Sequence, residues 1–261
     1  MPPRPERLIL IHGAWAGPWV WDALIPELAT HGLRAEALAL PGDGTHPIAP
    51  EDATEADFRA CIAQAIDASS GPVALVGHSG GGMLVTAGAE AFPDKVSHAI
   101  WIAGMIIPDG RSFDDIQTQI IGLDARFGVT PHVVQAADGR TSTVPPDVAV
   151  AYFFHDAPAP VARAAAARLT PQPMAGHRLR TRTGQHFAAL PKLYIHAQDD
   201  RSVIPAAQTA MSKSSQHVTV AGIASGHVPQ LSQPLRVAQI IADWLSSSSA
   251  MGDTVNHNLR A

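Results

Sequence analysis

Pro72-Val73-Ala74-Leu75-Val76-Gly77-His78-Ser79-Gly80-Gly81 passes from an unbroken apolar run into a cluster of glycines around one serine. The run is short and continuous, as in a strand buried on both faces. A helix is expected from Gly80 to Phe92, stopped by Pro93. Gly77 to Gly81 fits G-x-S-x-G, and its context is the one that motif needs: strand before, helix behind, and a sharp turn that exposes the serine hydroxyl. Gly77 and Gly81 suit a turn where strand and helix backbones crowd and a Cβ would clash. The helix aims its free N–H groups at Ser79, which puts the Gly80 N–H in place for a developing oxyanion. A glycine-rich turn can produce this pentapeptide by chance; the flanking elements favour the functional reading. No G-x-x-x-x-G-K-[ST] is present and no G-x-G-x-x-G follows the first apolar run, which disfavours phosphate binding.

Outward from this turn, apolar runs alternate with helical stretches. Strands are expected at Leu8 to Ile11, Leu33 to Leu40, Val96 to Ala103, Lys192 to Ala197 and His217 to Ala221. Helical spacing covers Pro18 to Thr30, Ile204 to Ser214 and Pro229 to Leu245. Thr54-Glu55-Ala56-Asp57 resembles a capping box with Asp in the third place, opening a helix to about Ser69. The alternation predicts an α/β fold, a mostly parallel sheet with helices on both faces. Residues 105–191 break the rhythm with many Pro and Gly and no convincing strand. They read as an inserted, mainly helical cap, with helical pieces at Phe113 to Leu123 and Val161 to Leu169. The expected division is a core of 1–104 and 192–245, the cap, and a flexible polar tail at 246–261, one domain overall.

Composition removes several classes. The chain has 261 residues, 46% hydrophobic and 16% charged, too apolar for a disordered polymer. A globule of this size buries roughly 70–75% of its unfolded surface and needs no covalent staple. Its net charge of −5 and lack of a basic run disfavour nucleic acid. No window approaches about 18 apolar residues, so no membrane span is expected. The four-residue run at Leu8 is too short for a signal-peptide core, and a cytoplasmic location is expected. Cys61 is the single cysteine, which excludes an internal disulfide or a multi-thiolate zinc site; it reads as a small buried hydrophobe. No metal, flavin, nucleotide or other cofactor is implied, and oligomeric state is not legible.

A nucleophilic serine needs a base, and the base an orienting carboxylate. On such a fold the order is Ser, then Asp or Glu, then His. His227 follows the expected strand His217 to Ala221, and Asp199 and Asp200 follow the strand Lys192 to Ala197. Both loops lie at the carboxyl edge of a parallel sheet, where ligands bind. His227 stands 148 residues beyond Ser79, so only the fold can bring them together. His196 and His217 belong to strands, His177 and His186 to the cap, His257 to the tail, and His78 packs beside the turn.

At these residues the chain resembles the α/β-hydrolase superfamily, and within it the branch of plant methyl esterases, hydroxynitrile lyases and their bacterial esterase relatives. The resemblance covers nearly all of residues 7–245 and rests on four stretches. These are Leu8-Ile9-Leu10-Ile11-His12-Gly13-Ala14-Trp15, Val76-Gly77-His78-Ser79-Gly80-Gly81-Gly82, Asp199-Asp200-Arg201-Ser202-Val203-Ile204-Pro205, and Ser225-Gly226-His227. It implies an α/β-hydrolase fold and a serine esterase with the triad Ser79, Asp200 and His227. In the family the acid stands a few residues before a helix-starting proline, which selects Asp200, five before Pro205, with Asp199 in reserve. The family's second oxyanion donor corresponds to the Ala14 N–H, beside that of Gly80.

The branch also informs by its departures. Its hydroxynitrile lyases carry a threonine in the first loop and a lysine after the histidine, where this chain has Ala14 and Val228. Cyanohydrin cleavage is thereby disfavoured. Gly80, where relatives often have a bulky residue, widens the pocket floor. His12, Met105, Phe127, Tyr152 and Phe153 are the expected substrate-binding residues, with Phe154 beside them, for a small uncharged ester. Arg178, Arg180 and Arg182 form either a basic rim or a solvated edge. The alternatives are a lyase, C–C hydrolase or cofactor-free oxygenase using a His–Asp base, and a slow hormone-receptor-like binder.

Overall fold

The computed structural model describes residues 3–113, 115 and 128–257, with side chains described through residue 248. Strands β1 (Arg7–Ile11), β2 (Ala35–Leu38), β3 (Val73–His78), β4 (Val96–Ile102), β8 (Lys192–Ala197) and β9 (Val218–Ile223) form one sheet in the order β2-β1-β3-β4-β8-β9. Each pairing within it is parallel. β1, β3 and β4 are buried at every position, which is why Leu8 to Ile11 and Val73 to Val76 read as continuous apolar runs and not as alternating ones.

Successive residues of these strands feed two cores, because side chains alternate across a strand. Ile9, Ile11, Leu75, Trp101 and Tyr194 pack under helices α2 (Glu55–Asp67) and α3 (Gly82–Ala91). Leu8, Leu10, Val76, Ile100 and Ile195 pack on the opposite face under α1 (Leu24–Thr30) and the long C-terminal helix. The capping box forms: the Thr54 N–H donates to Asp57 Oδ2 at 2.9 Å, and the Asp57 N–H to Thr54 Oγ1 at 3.3 Å. Such a cap is worth about 1 kcal/mol.

Two helical stretches differ locally from expectation. The segment predicted as one helix from Pro18 is a 3-10 turn, Pro18–Trp21, followed by α1. The C-terminal helical stretch is divided into α9 (Pro229–Ser232) and α10 (Pro234–His257), a break at the proline. α10 continues past Leu245, so the polar residues expected as a loose tail are helical through His257. Ser247 and Ser248 donate their hydroxyls to the Trp244 carbonyl at 2.9 and 2.8 Å, a back-bonding mode open to serine inside a helix.

Between β4 and β8 the described residues hold helices α4 (Pro146–Tyr152), α5 (Ala159–Ala166), α6 (Met174–Arg178) and α7 (Gln185–Ala189). They also hold strands, contrary to the sequence reading. β5 (Val134–Gln135), β6 (Thr141–Thr143) and β7 (Gln172–Pro173) make a small antiparallel sheet. Strands of two or three residues carry no usable periodicity, but Asp138-Gly139 is a hairpin signal, and Gly139 has the positive φ of 68° that such a turn needs. Most of the helix expected at Phe113 to Leu123 lies outside the described residues.

The strand order places the site. β1 pairs with β2 on one side and β3 on the other, so the chain leaves the ends of β1 and β3 in opposite directions. The crevice at such a reversal, beyond the carboxyl ends of the strands, is where open α/β sheets bind ligands. Gly13-Ala14 follows β1 and Ser79 follows β3.

Candidate active site

Ser79 sits on a turn that its neighbours force. Its φ is +50°, a left-handed conformation costly for a residue with a Cβ. A 3-10 turn, Ser79–Gly81, comes first, and α3 proper starts at Gly82, two residues later than its sequence suggests. A Cβ on Gly81 would stand 2.5 Å from the carbonyl oxygens of both Ile11 and His12. Glycine there lets the turn press against the end of β1, and the Ser79 carbonyl is held by the Met105 N–H at 2.9 Å. Among the described residues the Ser79 hydroxyl has no hydrogen-bond partner.

The histidine and the acid meet. His227 Nδ1–H donates to Asp200 Oδ2 at 2.7 Å, both side chains being buried. It is the Asp200 carboxylate, not that of the exposed Asp199, that turns to the imidazole. Asp200 Oδ1 accepts the N–H groups of Ser202 (2.7 Å) and Val203 (3.0 Å), and Oδ2 also accepts Gln208 Nε2–H at 3.0 Å. An Nδ1 proton directed to Asp200 leaves Nε2 as the nitrogen of the ring that can accept. Gln208 on α8 (Pro205–Lys213) escaped the sequence reading, since a glutamine one helical turn behind a proline gives no catalytic signal. Ser79 and His227 line one small cleft together with Phe153, Phe154 and Val228.

His78 braces this arrangement from behind. Its Nε2–H donates to the His227 carbonyl at 2.8 Å, and the two rings lie 4.7 Å apart. Burial, reinforced by the neighbouring His227, holds the His78 ring well below the ordinary histidine range, so it stays neutral. The Ala14 loop faces the serine turn: a Cβ added to Gly80 would lie 3.6 Å from the Ala14 nitrogen. Among the described residues the Ala14 N–H has no backbone acceptor. The next residue fixes the loop. Trp15 has a φ of +61°, its N–H donates to Gln172 Oε1 at 3.0 Å, and its indole N–H reaches the carbonyl and hydroxyl oxygens of Ser142 at 3.2 Å.

The expected substrate-binding residues separate. Met105 lines a cavity of about 150 Å³ at the serine turn, together with Ser79, Gly80, Trp15, Met83 and Met174. Phe153 lies in the cleft beside His227, with ring centroids 5.4 Å apart. Tyr152 lines a different, outer groove with Asp199 and Arg201, its hydroxyl 2.8 Å from His132. Phe127 lies outside the described residues. His12 borders a small cavity behind the Ala14 loop, and its buried ring turns to Asp43 (3.2 Å) and to the Gly13 carbonyl (2.9 Å).

Asp43 itself was not singled out in the sequence, though it sits in a Gly-Asp-Gly turn. Burial opposes its ionisation, but hydrogen bonds from His12 and from the His46 and Thr45 N–H groups outweigh it and hold the carboxyl well below the usual range. Of the three alternating arginines, Arg180 pairs with Asp115 at 2.7 Å, and none lines the cavity at Ser79. The Cys61 thiol bonds to the Ala39 carbonyl and is pushed up to about 11 by burial, an inert environment. Among the described residues no cluster of His, Cys, Asp or Glu could hold a metal ion, and no helix is long and apolar enough to cross a membrane.

Comparison with known proteins agrees with this architecture. A family model described as the alpha/beta hydrolase family matches residues 8–240. A pyrethroid hydrolase of Sphingobium wenxiniae is 28% identical over 273 residues, covering 95% of this chain and 90% of that protein. A chloroplastic protein of Arabidopsis thaliana that carries a methylesterase name is 25% identical over 252 residues, covering 91% of this chain; the chain spans only 56% of that relative's length. Among solved structures, a pyrethroid hydrolase from Sphingobium faniae superposes with a TM-score of 0.79 at 23% identity, covering 94% and 98% of the two chains. Polyneuridine aldehyde esterase superposes with a TM-score of 0.76 at 22% identity, covering 92% and 98%. A strained serine turn after β3, a buried His–Asp pair after β8 and β9, and a match over most of the sequence converge: the chain belongs to the alpha/beta hydrolase family.

Proposed function

We propose that the protein is a carboxylic ester hydrolase that works through an acyl-enzyme on Ser79. The observation that carries this reading is the 2.7 Å bond between His227 and Asp200 beside a cleft shared with a strained serine whose hydroxyl has no hydrogen-bond partner among the described residues. Ser79 Oγ attacks the ester carbonyl carbon while His227 Nε2 takes the hydroxyl proton. Asp200 keeps the imidazole in the Nδ1–H tautomer and stabilises the imidazolium. The Ala14 and Gly80 N–H groups receive the oxyanion, where one preorganised donor is worth about 3 kcal/mol. The imidazolium then protonates the departing alcohol. Water, deprotonated by the same ring, attacks the acyl-enzyme and frees the acid and Ser79.

The cavities suggest how an ester lies. The cleft beside His227, the proton donor to the leaving group, is small and apolar, walled by Phe153, Phe154 and Val228. The larger cavity on the Gly80 side is lined by Met83, Met105, Val129 and Met174. The proposed substrate is thus an uncharged ester of a small alcohol with an apolar acid, the acyl body in the larger cavity. The methylesterase and pyrethroid hydrolase names of its relatives support an ester substrate. Mixing the enzyme with p-nitrophenyl butyrate is expected to release a burst of p-nitrophenol near one equivalent. Neither a burst nor turnover, in folded protein, overturns the proposal.

A further inference from the structure

The turn after α4 reaches both loops that carry the His227–Asp200 pair. Asp156 Oδ2 accepts three hydrogen bonds at 2.8 Å, from the Gly226 N–H, the Ser225 hydroxyl and the Ser232 hydroxyl. Gly226 and Ser225 immediately precede His227. Next to it, His155 Nε2–H donates to the Asp199 carbonyl at 3.0 Å, one residue before Asp200. The Asp199 N–H in turn donates to the Ser225 carbonyl at 3.0 Å. These bonds close a circuit: the dipeptide, the histidine loop, the acid loop and back to the dipeptide. A Cβ on Gly226 would lie 2.7 Å from Asp156 Oδ1 and 2.8 Å from His155 Cε1, so the fit leaves no spare room. The same turn supplies Phe153, whose ring lies against the His227 imidazole.

We propose that His155 and Asp156 are positioning residues for the catalytic pair, fixing the histidine loop against the acid loop so that the imidazole stays aligned with Asp200. The proposal rests on the ester-hydrolase reading for its kinetic consequences, not for its geometry. Neither residue lines the cleft, so neither is assigned contact with substrate. Asp156, an exposed residue, acts as an anion: partial burial of its carboxyl raises its affinity for a proton, but the Gly226 N–H and the Ser232 and Ser225 hydroxyls outweigh it and keep the carboxyl below its ordinary range. The two loops leave parallel neighbours β8 and β9, whose pairing ends at Ala197 and Ile223. Beyond that point the two backbones are joined by the Gln198 N–H to the Ile223 carbonyl (2.9 Å) and the Asp199 N–H to the Ser225 carbonyl (3.0 Å), and the dipeptide adds side-chain ties to both loops.

The test compares Asp156→Ala, Asp156→Asn, His155→Ala and His155→Gln with wild type. Three readouts are used: steady-state hydrolysis of p-nitrophenyl butyrate, thermal unfolding, and the low-field proton NMR resonance of His227 Nδ1–H. Asp156→Ala is expected to lower kcat about 10- to 100-fold with KM within about twofold, the scale of a misplacement near 1 Å. Its low-field resonance should broaden or shift. Asp156→Asn, which keeps an acceptor, and His155→Gln, which keeps an N–H, should each recover part of what the alanine variants lose. A folded Asp156→Ala with unchanged kcat and resonance overturns the proposal, as does a change in melting temperature alone. If Asp156→Ala does not fold, the His155→Ala and His155→Gln pair decides on the same criteria. If wild type hydrolyses no ester, the resonance still reports positioning: its change in the alanine variants supports the proposal while the ester-hydrolase reading fails.

Discussion

Gln208 Nε2–H and His227 Nδ1–H donate to the same oxygen, Asp200 Oδ2, at 3.0 and 2.7 Å. Gln208 is itself fully held: its two Nε2 protons are shared among Asp200 Oδ2 and the Ala197 and Val203 carbonyls, and its Oε1 accepts the Ala197 N–H at 3.0 Å. The glutamine thus ties the acid loop to the end of β8 and fixes the direction in which the carboxylate points. Gln208→Leu removes all these bonds and leaves buried backbone groups unsatisfied. Expected are a stability loss of about 1–3 kcal/mol and a lower kcat. Chemical denaturation together with ester kinetics checks both; an unchanged kcat in the folded variant would show that the carboxylate needs no such support.

Ser79 combines the hydroxyl proposed as nucleophile with a strained backbone, and two substitutions separate these properties. Ser79→Ala keeps the Cβ and the strain, whereas Ser79→Gly relieves the φ of +50°. Both should lose ester turnover, and the glycine variant should be the more stable by about 1 kcal/mol. Equal unfolding midpoints would mean that the turn carries no such strain.

The buried pair of Asp43 and His12 behind the Ala14 loop makes stability depend on pH. Burial works against the Asp43 carboxylate, but the bonds from His12, His46 and Thr45 prevail and depress its folded value. A depressed folded value stabilises above the unfolded value of 3.8, and the contribution is lost as pH falls below it. The stability difference between wild type and Asp43→Asn should therefore be largest near neutrality and shrink below about pH 4. Urea unfolding at several pH values measures it; a difference that grows on acidification contradicts the assignment.

Phe153 walls the cleft beside His227 and stacks near Trp15, with ring centroids 5.9 Å apart. If the alcohol part of the ester leaves through this cleft, Phe153→Ala enlarges it. The ratio of kcat/KM for a benzyl ester over the methyl ester of the same acid should rise about 10-fold or more, since one methylene's difference in fit is worth about 1–3 kcal/mol. A ratio that stays constant while acyl-chain preference changes would reverse the assignment of the two cavities.

Much of the fold was legible because its signals are local. A run such as Leu8 to Ile11 declares a doubly covered strand by itself, and Gly77 to Gly81 declares a tight turn wherever it occurs. The short strands β5 to β7 were illegible by periodicity, since two or three residues cannot establish a period. Tyr152 shows another limit: next to Phe153 in the chain, it faces an outer groove and not the cleft. Neighbouring side chains at the end of a helix diverge, and only packing decides which one turns inward.

The amino-acid order alone determined the alternation of strands and helices, the serine turn, and the short set of histidines and aspartates that follow the last two strands. It did so because backbone geometry and apolar periodicity act over a few residues. The tertiary structure decided that Asp200 and not Asp199 meets His227, that Gln208 steadies the acid, that Asp43 holds His12, and that His155 and Asp156 join two loops dozens of residues away. Each of those contacts joins side chains across distant turns, and its direction follows from how the strand ends are packed. No local pattern encodes that direction.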